Sequence, residues 1–470
     1  MRSLFFLLLL VIPSVSAEET PIMTLDSLAD VYYDAETGDA ISSDAIKALD
    51  GKTIRIAGYM VPFNDLENLK EFMLMPSSNG CNFCEAPMKE EMIYVRQPGK
   101  KKYDYIGDPI VLTGKLWVQG AGTEAPNSTY AQFLYALQDT KVEKLKASDQ
   151  ALLEVVTPRT IIKQVCSLLR VRLLKQVTFE ALDDSAYQEK RKELLLKYLG
   201  GAEGEQALTF FLNAFGIQNT ESLSDLGSTF LTGWSAAFSD ISGETIYYHK
   251  GLDLSEKKNQ LQIAIACYDL LFHQEIDIHN AIHQGTPSID EKLARLSLIL
   301  GLRQSFAQFY GSIGLIDLRP LEKFAAPYDG KASLPKPFKT LAEQLLIKQG
   351  SFISELYKAE QFQPYTKAIA SPPVSMTQIL SPALYCEKGS TFEPQTIEGY
   401  ENRLGPYLTS LILGLDTEGI VADGIHLKAN EFQWSILFKS EEVALKAETL
   451  LNKKAIRIQR TDTTLELSSQ

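Results

Sequence analysis

Between Thr53 and Val142 the chain carries five short runs rich in β-branched and aromatic residues: 53–63 (TIRIAGYMVPF), 71–75 (EFMLM), 92–96 (MIYVR), 110–118 (IVLTGKLWV) and 133–142. Pro, Gly, Asn and Asp separate them, which is the pattern of successive strands rather than helices. Five strands packed this closely along a chain suit a small barrel. A five-stranded antiparallel β-barrel of the oligonucleotide/oligosaccharide-binding (OB) type is the fold expected for residues 50–146. That fold usually carries a helix between its third and fourth strands. Residues 97–109 have loop composition instead.

From about Ala147 the pattern changes to apolar residues at three- and four-residue spacing, the mark of amphipathic helices. Helices are expected over 152–177 with a break at Pro158, and over 187–199, 203–215, 258–282, 289–310, 337–349 and 352–361. Ser288 and Gly200-Gly201 supply a start and a stop signal. Residues 416–470 change again, reading as a small β-β-α-β unit, with 463–467 offering a fourth strand. The expected class is therefore α+β. The expected parts are a segment 18–49, a barrel 50–146, a helical region 147–415 with a subdomain break near 325–337, and the α+β unit 416–470.

The first residues say where such a chain works. Arg2 is a positive start, residues 4–12 are apolar but too short to cross a bilayer, and Pro13 ends them. Val15-Ser16-Ala17 has the small residues of a cleavage site. Residues 1–17 thus read as a secretory signal peptide, with a periplasmic or secreted mature protein. Glu18 rather than Cys follows the cut, so no lipid anchor is signalled. No later apolar run reaches the roughly 20 residues a membrane span needs. The net charge of −13 argues against a general nucleic-acid binder, which must neutralise phosphates with Lys and Arg.

One dense chemical cluster stands in the connection between the second and third strands: Gly80-Cys81-Asn82-Phe83-Cys84-Glu85-Ala86-Pro87-Met88. A two-residue gap lets both sulfurs point into one space, which suits a metal or a tight disulfide. Zinc needs four ligands and there is no His before His249, so further ligands have to come from Glu85, Glu90 or Glu91, from the distant half of the chain, or from a second molecule. Of eight methionines, Met60, Met73, Met75, Met88 and Met92 lie in or beside the barrel. Thiolate and thioether donors select soft ions, so Cys81, Cys84 and Met88, with Met73 or Met75 from the adjoining strand, form a coherent site for Cu(I) or Zn. Two other readings stay open: a structural Cys81–Cys84 disulfide, and a thiol–disulfide oxidoreductase using the same pair. Cys166 and Cys267 lie in apolar runs and read as small buried hydrophobes.

Leu49-Asp50-Gly51-Lys52, Ile54-Arg55-Ile56, Gly58-Tyr59-Met60-Val61-Pro62, Glu71-Phe72-Met73-Leu74-Met75-Pro76, Cys81, Pro87 and Ile93-Tyr94-Val95 follow one another in an order that resembles the exported bacterial family catalogued as domain of unknown function 3299. The likeness runs from about Leu25 to Trp117. It implies an exported protein without a settled activity, accessory to an envelope transport system or metal supply, with an envelope protein as partner.

Elsewhere the signals are thinner. His279 and His283 share a helix face at i,i+4 and Glu275 lies one turn before them, a weaker second metal cluster. Gly233-Trp234-Ser235-Ala236-Ala237 half-matches a nucleophile elbow, and Ser255-Glu256-Lys257-Lys258 matches a Ser-x-x-Lys motif whose Ser reads better as a helix cap. No glycine-rich phosphate loop is present. A non-enzymatic binding protein is the reading these features favour.

Overall fold

The computed structural model describes residues 20–63, 66–76, 88–96, 102–199, 201–215, 217, 223–225, 235–240, 242–276, 288–313, 352–356, 358, 371–400, 402–428, 430–452 and 456–469. The expected signal peptide lies outside them. Residues 1–155 and 156–470 form two compact units.

The first unit is a barrel. Its strands are β4 (Thr53–Pro62), β5 (Glu71–Met75), β6 (Ile93–Arg96), β7 (Ile110–Val118) and β8 (Tyr135–Lys144). They pair in the order β4-β5-β6-β8-β7, and β7 pairs back onto β4, closing the ring. The closed five-stranded barrel is as expected, but it is mixed and not purely antiparallel: β6 and β8 run parallel, Tyr94 opposite Ala136. The reason is topological. Strands in a closed ring of five cannot alternate in direction all the way round, so at least one neighbouring pair must be parallel.

Closure also depends on β4 serving two partners. Residues 53–58 pair with β7, while 59–62 pair with β5. Gly58 sits at the switch. A Cβ there would lie 2.8 Å from the Met75 carbonyl oxygen and 2.9 Å from Leu74 Cγ. Glycine allows the backbones to approach that closely.

Alternation along the strands fills the interior with Ile54, Ile56, Met60, Phe72, Leu74, Ile93, Val95 and Leu112. Residues 20–49 complete this core. They form β1 (Ile22–Thr24), which pairs parallel with β4, and the hairpin β2 (Val31–Tyr33) and β3 (Ala40–Ser42), followed by the one-turn helix α1 (Asp44–Lys47). Leu25, Leu28, Val31, Tyr33 and Ile46 pack with the barrel interior. Tyr135 donates its hydroxyl to the Leu28 carbonyl at 2.7 Å, so the lining of residues 20–49 is polar as well as apolar in its attachment.

Among its described residues the second unit is mainly helical, as the spacing predicts, with α2 (Pro158–Leu169), α3 (Asp184–Leu199), α4 (Gly201–Ala214), α5 (Lys257–Ile276) and α6 (Ile289–Ile313); the helix expected over 337–349 and the break expected near 325–337 lie outside the described residues. Thr157 caps α2 by accepting the Thr160 N–H, and Ser288 accepts the Glu291 N–H at the start of α6. The structure adds a three-stranded sheet: β9 (Thr178–Leu182), β10 (Ala237–Ser239) and β11 (Thr245–His249), in the order β10-β11-β9. Strands of three to five residues are too short to show a period of two against helical surroundings.

Residues 371–391 add α7 (Met376–Leu380) and α8 (Pro382–Lys388), and α9 (Gly405–Leu413) precedes the C-terminal unit. That unit is β12 (Ile420–Lys428), β13 (Glu431–Phe438), α10 (Glu441–Leu451), β14 (Ile456–Thr461) and β15 (Thr464–Ser469), paired β12-β13-β15-β14. Phe432, Trp434, Ile436 and Phe438 alternate onto one face and meet Phe211 of α4 and Phe215, with the Phe211 and Phe215 rings each 5.3 Å from Trp434.

Candidate functional site

The cysteine-bearing connection leaves the sheet at the end of β5 and returns at β6. Cys81, Cys84 and Glu85 lie outside the described residues. The flanks are described. Met75 is the last residue of β5 and Met92 immediately precedes β6, so both thioethers stand where the connection joins the sheet. Both are partly buried on the outer face of the barrel. Met88 is half-buried and opens a single 3-10 turn, Lys89–Glu91. Its carbonyl accepts the Glu91 N–H and its own N–H donates to the Glu91 carboxylate, each at 3.0 Å.

The turn is held from beneath. Glu90 is 5% exposed and accepts the Tyr33 hydroxyl at 2.6 Å. A buried carboxylate is costly unless it is hydrogen-bonded, so this contact decides where the returning end of the connection sits. Tyr33 and Glu90 are 57 residues apart. No local pattern in the sequence could have paired them.

The outer face of the same strands is a continuous row. Val61 stands opposite Met73, Met73 opposite Tyr94, Tyr94 beside Ala136, and Ala136 opposite Trp117. Tyr130 and Phe133 from the β7–β8 connection cover it. Phe133 stacks on Tyr94 at 4.7 Å with 2° between planes, and Tyr130 meets Tyr94 edge-on at 5.1 Å. Such pairs add about 0.5–1.5 kcal/mol each beyond their buried area. Met73 is therefore enclosed in an aromatic cluster, and Met60 lies inside the barrel. At the margin Tyr94 donates its hydroxyl to Glu71, which also lies 3.9 Å from Arg96. Burial, reinforced by Glu71, pushes the Tyr94 phenol well above its ordinary range.

In the second unit the weaker cluster is mostly out of view. Glu275 belongs to the last turn of α5, while His279 and His283 lie outside the described residues. The preceding Gln274 clamps that helix end: its carbonyl oxygen accepts the Leu174 N–H at 2.8 Å and its amide donates to the Gly243 carbonyl at 2.7 Å. Among the described residues no group of three His, Cys, Asp or Glu side chains is placed to hold a metal.

Ser235 is buried and its hydroxyl donates to the Ala237 carbonyl. The Ser235 carbonyl accepts the Tyr187 hydroxyl at 2.8 Å and Arg191 Nη2 at 3.0 Å. His249 instead places Nδ1 3.1 Å from Asp184 and its ring 3.9 Å from that of Tyr187. Burial holds the imidazole below its ordinary pKa, against the pull of Asp184. Ser255 N–H donates to Asp253 ahead of α5, in a turn rather than a site.

The deepest charged groups in this unit were not visible in the sequence. Asp290, fully buried in the first turn of α6, accepts the Met376 N–H at 3.1 Å and lies 3.5 Å from Arg403 Nε. Asp423 accepts the N–H groups of Leu404 (2.9 Å) and Gly405 (2.8 Å) and the Trp434 indole N–H (3.0 Å). Gly405 has φ +80°, and a Cβ there would lie 2.3 Å from the Asp290 carboxyl. The group ties α6, α7, α9 and the C-terminal sheet together.

Comparison with known proteins finds a match in the N-terminal part of the chain. Residues 19–144 match the model of the family described as Protein of unknown function (DUF3299). A crystal structure of a DUF3299 family protein from Pseudomonas aeruginosa is similar at 19% identity, covering 28% of this chain and 100% of that one, with a TM-score of 0.21. No curated protein matches. The N-terminal resemblance is thus shown, and the remainder of the chain matches nothing in these comparisons.

Proposed function

We propose that this chain is an exported, non-enzymatic binding protein whose barrel holds a soft metal ion, Cu(I) or Zn, at Cys81 and Cys84, with Met88 and Glu85 as further ligands. An envelope protein is its partner, and nucleic acid is not. The observation that supports this is the placing of sulfur. Met75 and Met92 flank the two ends of the connection that carries both cysteines, and Met88 sits in its returning turn. With the two cysteines they make a set of soft donors, which favours a soft ion over Mg or Ca. Among the described residues no helix is long and apolar enough to cross a membrane.

The test is metal content. Protein recovered from the periplasm is expected to carry close to one equivalent of Cu or Zn, and the Cys81→Ser/Cys84→Ser variant almost none. Equal metal in both proteins would end the proposal. N-terminal sequencing of the same material checks export separately, with Glu18 expected as the first residue.

A further inference from the structure

The geometry points to a separate metal site on the outer face of the barrel, built from the thioethers of Met73, Met75 and Met92 alone and selective for a monovalent soft ion, Cu(I) or Ag(I). It shares no residue with the proposed Cys81/Cys84 site and does not depend on it. β5 and β6 are antiparallel neighbours, with Met73 opposite Tyr94 and Leu74 opposite Ile93. Met92 is extended, at φ −131° and ψ 137°, so the register carries one step further and sets Met92 opposite Met75. Side chains alternate across a strand, which puts Met73, Met75, Met92 and Tyr94 on one face. Met75 and Met92 both pack against the cluster that holds Met73 and Tyr94. Directly opposite residues keep their Cβ atoms about 4.5–5.5 Å apart, and diagonal neighbours lie at about 7–8 Å. Three unbranched, flexible side chains on that spacing can bring their sulfurs onto one ion without moving the backbone.

The donor set decides the ion. Thioethers are uncharged, and the carboxylates of this strand pair and its returning turn are engaged: Glu71 accepts the Tyr94 hydroxyl, Glu90 the Tyr33 hydroxyl and Glu91 the Met88 N–H. Nothing in the set offsets a double charge, so Zn, Mg and Ca are disfavoured, while a soft ion of single charge suits neutral sulfur. Met73 is 6% exposed, whereas Met75 and Met92 are half-buried. The site is therefore closed toward the aromatic cluster and reached from the rim where the cysteine-bearing connection leaves and returns. Apolar packing accounts for Met73. It does not account for methionine at both positions of the half-exposed last pair, where β-branched or aromatic residues suit a strand better. Without a thiolate the site binds more weakly than the cysteine pair, so its ion has to be supplied and is not expected to survive purification.

Methionine methyl NMR tests the assignment on full-length Cys81→Ser/Cys84→Ser protein, in which the cysteine site cannot contribute. Protein isotope-labelled at the methionine methyls is titrated with silver nitrate, which is redox-stable, and separately with zinc sulfate. Total metal uptake would include Cys166, Cys267 and Cys386, whereas the methyl signals report each thioether. Single Met→Leu variants, close in volume, assign them. The signals of Met73, Met75 and Met92 are expected to shift together and saturate with silver. Met60, inside the barrel, and Met88 are expected to stay, and zinc to move none of them. Met75→Leu/Met92→Leu, with a thermal midpoint near that of its parent, is expected to lose the Met73 shift. Unmoved Met75 and Met92 signals at excess silver, equal movement of Met60, an equal response to zinc, or a Met73 shift that persists in the double variant overturns the inference. Shifts that appear only when Cys81 and Cys84 are restored would assign these thioethers to the cysteine site, which removes the separate site and leaves the other proposal standing.

Discussion

Replacing Asp290 by Asn should make the second unit less sensitive to pH, and the size of the change follows from the surroundings of the carboxyl. Asp290 is fully buried, with one oxygen on the Met376 N–H and the other facing Arg403. Burial is the main cause that raises its pKa, with Asp423 adding repulsion, and the result is about 6 against 3.8 for an unconstrained Asp. A gap of about two units corresponds to roughly 3 kcal/mol. The sign is unusual for an acid. Between pH 4 and 6 the folded state binds a proton that the unfolded state has already lost, so stability falls as pH rises through this window and the full penalty is present above it. Between pH 7.5 and 4.5 this one group should add about 2 kcal/mol to the unfolding free energy. Asp423 is shifted in the same direction by burial. His249 opposes, because its depressed pKa makes stability fall as pH drops below about 6.5. Comparing the two proteins cancels the His249 contribution, and that of Asp423 except for its repulsion with Asp290. Asn keeps the oxygen that accepts the Met376 N–H and removes the titration.

Urea unfolding followed by far-ultraviolet circular dichroism at pH 4.5, 6.0 and 7.5 reads this out. The difference between wild type and Asp290→Asn should grow in favour of the wild type by about 2 kcal/mol on acidification. A difference that stays constant within about 0.5 kcal/mol across that range would show that Asp290 does not titrate where its burial requires.

Two changes test the barrel. Gly58→Ala puts a methyl 2.8 Å from the Met75 carbonyl oxygen, where backbone must give way, and should lower stability by about 1–3 kcal/mol in thermal unfolding; an unchanged midpoint would mean that β4 does not bend between its two partners there. Tyr33→Phe removes the hydroxyl that Glu90 accepts and should cost about 1–3 kcal/mol at pH 7. Loss of that penalty at pH 7 would place the Glu90 carboxylate in water rather than beneath the Met88 turn.

How far the fold could be read ahead of the structure depended on how local its causes are. The five barrel strands follow from runs of β-branched and aromatic residues, and β5 and β7 begin and end where those runs do. The strand directions did not follow from composition, yet counting would have supplied them, since a closed ring of five must contain a parallel pair. The role of residues 20–49 in the core was less legible. Leu25, Leu28 and Val31 have neither a helical nor a strand period long enough to register, and only the barrel they fill makes sense of them. The buried carboxylates lay beyond reach for a different reason. Asp290 finds Met376 and Arg403, and Asp423 finds Leu404 and Trp434, across gaps in the chain that no spacing rule connects.

The proposed metal site sits between these cases. Its donors are visible as types, two cysteines and a methionine within eight positions, but their support is not. Glu90 is two residues past Met88, and its carboxylate is fixed by Tyr33 from a hairpin of residues 20–49. The returning end of the connection is thus tied to a part of the chain that has no metal-binding character of its own. A ligand at Cys81 and Cys84 would have to accommodate a Met88 turn already set by that buried contact. Rigid support of this kind lowers the ordering entropy lost on binding. Disturbing Tyr33 should therefore weaken metal retention as well as stability, while Cys81→Ser/Cys84→Ser should abolish retention and leave the Tyr33–Glu90 contact in place. If Tyr33→Phe protein, still folded, holds metal as tightly as wild type, the turn is an anchor for the sheet alone and contributes nothing to the site.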